Sequence, residues 1–143
     1  MVIDSQSWGL ISGLFNSPIS LSSVLDELQL GVIILNPDLR ILYVNLAFEA
    51  LSGFNREDVR GLPCRNILRS NLCVQQCPVL EAREGKVLVK STGNIINRER
   101  KKISVRLNTS PIWDGDMRLV GFIETVENVP ADLLSGAANP IRQ

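Results

Sequence analysis

Hydrophobic residues near the amino terminus recur at the spacing of amphipathic helices. One set precedes a helix-breaking stretch at residues 16–18, and a second begins at Ser22 or Ser23 and cannot easily continue past Gly31. The apolar members of the two sets are Trp8, Ile11, Leu14, Phe15, Val24, Leu25 and Leu28. The pattern therefore predicts two short leading helices.

Beyond Gly31 the pattern becomes that of β-strands. The apolar runs 32–35 and 41–44 flank turn residues at 36–38. Two β-rich runs around a turn of this kind are typical of a β-hairpin. The first two strands are predicted here.

The rest of the chain separates into short helices and then strands. Alternation of apolar and polar residues begins at Val87, continues through residues 103–107 and gives way to an apolar run at 119–126, which predicts three further strands. Helical spacing interrupted by glycine or proline marks the stretches between, at residues 47–53, 55–58, from 62 onward, and 77–85.

The predicted order is two strands, several short helices and three strands. The runs 32–35, 41–44 and 119–123 are too apolar for a sheet with one wet face, so we expect both faces to be covered. The short helices can cover one face, and the leading helix at Trp8 or a second copy of the chain can cover the other. Dimerisation through that outer face is a prediction.

Composition narrows the class of protein and of partner. The 143 residues are 45% hydrophobic, carry fifteen basic and fifteen acidic residues and contain no histidine. Nucleic-acid binders usually have a basic excess, and no apolar stretch approaches the ~20 residues that span a bilayer. We expect no direct nucleic-acid binding, no membrane insertion by this segment and, without the usual general base, no enzymatic activity.

Three segments are expected along the chain. Residues 1–23 form a helical cap or dimerisation segment, and residues 24–129 form the main domain. Residues 130–143 are rich in Ala, Ser, Gly and Asn, which is typical of a linker toward a further domain.

The cysteines Cys64, Cys73 and Cys77 form a C-x8-C-x3-C arrangement that ends in Cys-Pro. An odd number without a signal sequence argues against a disulfide framework and favours a reducing, cytoplasmic setting. Three thiolates can hold an iron–sulfur cluster with an exogenous fourth ligand, or a zinc ion completed by water. A thiol redox switch without metal and three unremarkable core cysteines are the other interpretations.

Two stretches of the sequence resemble the PAS domain family. LYVNLAFEALSGFNREDVRGLPC is similar to the family's passage from the second strand into the helices, and GNIINRERKKISVRLNTSPIWDGDMRLVGFIETVENV to its last three strands, with a proline after the fourth. The family's hairpin glycine is replaced by the charged run 98–102, and the last strand ends Glu124-Thr125-Val126 where the family often has Asp-Ile-Thr. The resemblance implies an α+β fold: a five-stranded antiparallel sheet with short helices on one face and an N-terminal helix on the other.

The same resemblance implies a sensory role. It suggests a homodimeric module of a bacterial signalling protein that senses a redox state, metal cluster or small ligand and regulates a linked output domain, such as a histidine kinase or transcription regulator. It places the wall of a ligand pocket at Asn45, Phe48, Leu51 and Ile67. The alternative is a pure dimerisation and interaction module with a filled core and no cofactor.

The string GLPCRNIL also resembles the flavin-binding LOV branch of the family, whose photoactive cysteine lies in an N-C-R-F-L-Q motif. Pro63 replaces the asparagine, the glutamine is missing, and Val105 stands where that branch needs a flavin-binding asparagine. Flavin is therefore not expected. Haem is not expected either, because no histidine is present and Cys or Met117 would be a poor axial ligand.

Overall fold

The computed structural model describes residues 18–130, the side chain of Gln75 excepted. In this range the strands are β1 (Gly31–Leu35), β2 (Ile41–Val44), β3 (Val89–Ile96), β4 (Lys102–Trp113) and β5 (Leu119–Asn128). The helices are α1 (Leu21–Leu25), α2 (Leu46–Ser52), α3 (Arg56–Val59), α4 (Cys64–Leu68), α5 (Asn71–Gln75) and α6 (Pro78–Gly85). The predicted α+β architecture, a five-stranded antiparallel sheet with short helices, is confirmed.

The strand that comes last in the sequence lies in the middle of the sheet. The strand order is β2-β1-β5-β4-β3, and every neighbouring pair is antiparallel. β5 thus joins the amino-terminal hairpin on one side to the β3–β4 hairpin on the other.

The helices are short because capping or helix-breaking residues lie at their ends. Asn45 caps α2 by accepting a hydrogen bond from the amide of Phe48, and Gly53 ends that helix in the left-handed region at φ +80°. Arg69 ends α4 with φ +46°, and Pro78 opens α6, where its missing N–H has no helical partner to lose. The breaks at Gly53 and Pro78 agree with the prediction, whereas the end of α4 at Arg69 was not predicted.

The leading segment is only partly described. The second predicted helix is present as α1, but it is capped by Ser20, whose hydroxyl accepts from the amide of Ser23, rather than by Ser22 or Ser23. The helix predicted around Trp8 and the linker beyond residue 130 lie outside the described residues.

One face of the sheet carries the helices and the core. α2 packs on β1, α3 on β2, α4 and α5 on β3, and α6 on β3 and β4. The inward side chains alternate with half-buried ones in β4 and β5, and they are Val105, Leu107, Thr109, Phe122, Glu124 and Val126. Burial of each large apolar member contributes ~1.5–3 kcal/mol to folding, so packing on this face provides most of the favourable free energy from apolar burial.

The opposite face is less deeply covered. Ile34, Asn108 and Ile123 on this face are half-buried, whereas Val32 is fully buried. The expected cover by an N-terminal helix concerns residues that are not described, and it stays a prediction. Among residues 18–130, no helix has the length and apolarity that a membrane span requires.

β4 extends beyond its neighbour β3. Its pairing with β3 ends at Thr109, whereas its pairing with β5 continues to Trp113, opposite Leu119. Pro111 lies in this overhang and pairs with Phe122. The expectation that this proline follows the fourth strand is wrong. Proline is tolerated within β4 because β3 has already ended, so no strand on that side needs a hydrogen bond from a backbone N–H at this position.

Candidate functional site

A cavity of about 350 Å³ lies between the helices and the sheet. Its apolar wall includes Leu39, Leu68, Leu72, Val79, Leu80 and Leu107. The remaining wall contains the three cysteines and Glu124, and exposed charged residues stand at its rim. We call this space the Cys64 cavity; an apolar pocket with a few convergent polar groups is the usual form of a small-molecule site.

Three different helices bring the cysteines to this cavity. Cys64 is the first residue of α4, Cys73 lies in α5, and Cys77 is the capping residue of α6. The left-handed Arg69 and the α5 cap Ser70, whose hydroxyl accepts from the amide of Leu72, turn the chain between the first two. The structure therefore places the three thiols around one cavity.

Gly93 allows α5 to approach the sheet. A Cβ at this position would lie 2.7 Å from Asn71 Oδ1 and 3.0 Å from Leu72 Cγ. Asn71 Oδ1 accepts a hydrogen bond from the amide of Asn94 at 2.9 Å, which fastens the start of α5 to β3. The contact holds the Cys73 wall of the cavity against the sheet.

Glu124 places a carboxyl group on the sheet side of the cavity. It lies in the middle of β5 and is 1% exposed. Thr109 Oγ1 donates to Glu124 Oε2 at 3.0 Å, and the thiol of Cys64 donates to Oε1 at 3.6 Å. Burial raises the pKa of Glu124, and these two donors lower it by less, so the pKa lies above its ordinary value.

Glu124 is not among the site residues predicted from the sequence. The sequence pattern places the end of the last strand at residues 124–126, whereas β5 continues to Asn128. The available signal was the alternation itself, because Phe122 and Val126 point inward and the residue midway between them must do the same.

Burial also keeps two of the thiols protonated. The pKa of Cys64 is raised well above its ordinary value, first by burial and then by the neighbouring Glu124 carboxylate. The pKa of Cys73 is raised, chiefly by burial, with a smaller contribution from Cys77 and an opposing hydrogen bond at Ser70. Cys64, Cys73 and Cys77 are all unpaired.

The predicted iron–sulfur or zinc site is not supported. Within residues 18–130, no group of three or more His, Cys, Asp or Glu side chains is close enough together to hold a metal ion. Cys64, Cys73 and Cys77 surround the cavity from three helices instead of converging on one point.

The four residues predicted as the pocket wall lie elsewhere. Asn45, Phe48 and Ile67 are buried in the core, and none of the four lines the Cys64 cavity. Leu51 packs partly against that core and lines a separate groove beside Val126. Ligand contact by these residues stays a prediction.

Comparisons with known proteins agree with this architecture. A family model described as "PAS domain" matches residues 29–130. No curated protein matches the chain.

Solved structures with similar folds include PAS and light-oxygen-voltage (LOV) domains. A LOV domain studied with a flavin analogue has 19% identity and a TM-score of 0.74, covering 87% of this chain and 95% of its own. A PAS domain from Colwellia psychrerythraea has 16% identity and a TM-score of 0.68, with coverages of 75% and 92%. The LOV domain of a blue-light-activated histidine kinase from Erythrobacter litoralis has 23% identity and a TM-score of 0.61, with coverages of 72% and 98%. At these identities the likeness concerns the fold, and the expected exclusion of flavin gains no support from it.

Proposed function

The chain belongs to the PAS domain family, and on that premise we propose that it is a sensory module in which the occupancy of the Cys64 cavity is the signal. The observation that carries the proposal is the composition of the cavity wall, where α4, α5 and α6 each contribute a cysteine and the central strand contributes Glu124. A change in the cavity therefore acts on three small helices and on the middle of the sheet at once.

The output route is the carboxyl-terminal half of β5. From Glu124 the strand runs to Asn128, and the amide of Val129 then donates to the carbonyl of Ser104 at 3.0 Å. A shift of Glu124 toward or away from the cavity would alter this exit and the chain that follows it. We propose that it regulates a linked output domain, a histidine kinase or a transcription regulator; one similar LOV domain comes from a histidine kinase.

We further propose that the module works as a non-catalytic homodimer in the bacterial cytoplasm. Three unpaired cysteines are in keeping with a reducing compartment. The signal in this proposal is a small ligand, or a redox change of the half-buried thiols Cys73 and Cys77.

Covalent occupation of the cavity tests the proposal. Methyl methanethiosulfonate transfers a methylthio group to a cysteine sulfur and releases methanesulfinate, and we expect it to modify Cys73 and Cys77 before the buried Cys64. Hydrogen exchange should then change in β5 around Glu124. The double variant Cys73→Ser/Cys77→Ser is the matched control, and the reagent should leave its β5 exchange unchanged under the same mild treatment.

The second candidate is a pure dimerisation and interaction module. It is favoured by the packed state of the predicted pocket wall, where Asn45 and Phe48 are 0% exposed and Ile67 is 5% exposed. In that case modification of Cys73 and Cys77 would change exchange only in α5 and α6. That outcome would contradict the sensory proposal.

A further inference from the structure

We infer that the Cys64 cavity binds a small organic cation with an ammonium group, which Glu124 holds by a charge-assisted hydrogen bond. The inference names the ligand class for the proposed sensory function and rests on it. Its basis is the unusual position of a carboxyl group that has no cationic partner among the described residues.

The carboxyl group of Glu124 has unused hydrogen-bonding capacity. A carboxylate can accept about four hydrogen bonds, whereas this one has a single ordinary donor, the hydroxyl of Thr109, and a weak one in the thiol of Cys64. A buried acid without a cation is costly to keep ionised. Because Glu124 lines the cavity, an ammonium group there supplies both the missing charge and additional donors.

The remainder of the cavity suits the apolar body of such a ligand. Leu68, Leu72, Val79 and Leu107 line it together with the thiols. Its volume of about 350 Å³ is at the lower end of the range for ligand pockets, ~300–1,000 Å³. The ligand is therefore a compact hydrocarbon with one charged end.

The charged groups at the rim do not oppose a cation at Glu124. Asp38, Arg40 and Arg65 line the cavity but are exposed, and Arg40 Nη1 already donates to the carbonyl of Gly61 at 2.8 Å. Water and salt screen exposed charges, whereas a buried carboxylate acts through a medium of low dielectric constant. Glu124 thus determines the sign of charge that the interior favours.

Binding should release a proton. Burial raises the pKa of Glu124, and the other titratable groups that line the same space are Cys64, Cys73 and Cys77 and, at the exposed rim, Asp38, Arg40 and Arg65. An alkylammonium ion that meets the protonated acid forms an ion pair with the carboxylate, and the carboxyl proton passes to the buffer. Up to one proton is released per ligand bound.

Two probes of matched shape test the inference. Calorimetric titration at pH 7 compares cyclohexylammonium with cyclohexanol on the unmodified chain, on Glu124→Gln and on Glu127→Gln. The last variant is the control, because it makes the same chemical change on the same strand at an exposed residue that pairs with Arg106.

We expect the unmodified chain and Glu127→Gln to bind cyclohexylammonium equally, with the same proton release in buffers of different ionisation enthalpy. Glu124→Gln should bind it at least ~10-fold more weakly, because a hydrogen bond to a charged group is lost, and should release no proton. Cyclohexanol should bind the unmodified chain more weakly than the amine does. If Glu124→Gln does not fold, the comparison of the two probes on the unmodified chain decides the question.

Three results would overturn the inference: equal amine binding with and without Glu124, an alcohol that binds as tightly as the amine, or no binding of the amine. Binding of cyclohexanol alone would reject the cation while leaving the cavity as a sensory site. If neither probe binds and thiol modification also leaves hydrogen exchange in β5 unchanged, both the inference and the proposed sensory function fail.

Discussion

At the scale of single residues, the side chain of Asn45 serves four backbone groups. Its Oδ1 accepts from the amides of Val32 at 2.8 Å and Phe48 at 3.0 Å, and its Nδ2 donates to the carbonyls of Leu25 at 2.8 Å and Leu30 at 2.9 Å. One amide thus ties β1, the start of α2 and the end of the leading segment together. The residue predicted as a ligand contact has a structural role.

Replacement of Asn45 by Ala should therefore destabilise the fold by about 3 kcal/mol, since a helix cap is lost and buried backbone groups are left unpaired. The matched control is Asn55→Ala, because Asn55 caps α3 without any side-chain hydrogen bond. Its free energy of unfolding should change by less than ~0.5 kcal/mol. Urea denaturation measures both, and equal losses would contradict the assigned role.

Glu124 makes stability depend on pH. Because its pKa is raised in the folded protein, folding favours the protonated form; its contribution is complete below the ordinary glutamate pKa of ~4.3 and is lost as the pH rises through the folded value. The free energy of unfolding of Glu124→Gln, relative to that of the unmodified chain, should therefore increase from pH 4 to pH 8. Each unit of pKa elevation corresponds to ~1.4 kcal/mol at the upper end.

Urea denaturation across this pH range provides the measurement. Glu127→Gln is again the control. Its free energy of unfolding should change with pH in the same way as that of the unmodified chain, because Glu127 is exposed. A constant difference between Glu124→Gln and the unmodified chain at all pH values would contradict the raised pKa.

At the scale of elements, a polar cluster fastens α1 to the rest of the domain. Asp26, the residue after α1, accepts hydrogen bonds from the hydroxyl of Tyr43, from Arg56 Nη2 at 2.9 Å and from the amide of Leu46 at 3.1 Å. The guanidinium of Arg56 also lies over the Tyr43 ring, 5.0 Å from its centroid. α1 is only five residues long, so these contacts hold it in place where its own hydrogen bonds cannot.

Tyr43→Phe should loosen α1 and reduce stability by ~1–2 kcal/mol, because a hydrogen bond to a charged carboxylate is lost. Burial and the Asp26 hydrogen bond raise the pKa of Tyr43 to about 12. The contribution is therefore complete below the ordinary tyrosine pKa of ~10 and is lost as the pH rises from there toward 12.

Hydrogen exchange in residues 21–26 provides the readout. Arg60→Ala is the comparison, since its ion pair with Glu57 is exposed and should contribute almost nothing. Unchanged exchange in α1 of Tyr43→Phe would show that the cluster does not hold the helix.

The secondary structure could be predicted because local signals mark its boundaries. Gly53 is predicted to end a helix and Pro78 to begin one, and the structure shows both boundaries. The apolar run predicts the last strand only as far as residue 126, because Glu127 and Asn128 are polar and exposed. The pairing of β5 with β4, which reaches Asn128 opposite Val105, shows that the strand continues.

At the scale of the whole molecule, we expect a homodimer. α1 and the residues after it expose the apolar side chains of Leu21 and Leu28, and the outer sheet face is only half-buried. Sedimentation should show dimers at high micromolar concentration, and Leu21→Asp should shift them toward monomers. The control is Val74→Asp, at an 88% exposed position on α5; a monomeric unmodified chain would contradict the prediction.

The candidate site could be predicted only in part. The close spacing of Cys64, Cys73 and Cys77 indicated a common location, and they do line one cavity. The sequence could not show that the sulfur atoms stay apart, because this depends on how α4, α5 and α6 pack. It also could not show that Thr109, on another strand, meets Glu124.

The β4 overhang has a consequence for how copies of this chain associate. Bare strand edges invite an incoming strand to continue the sheet, and this is a common first step of aggregation. Pro111 interrupts the row of donors along that edge, so a foreign strand finds no continuous template there. We therefore expect this corner to resist sheet extension by further copies of the chain, and Pro111 to be the residue responsible.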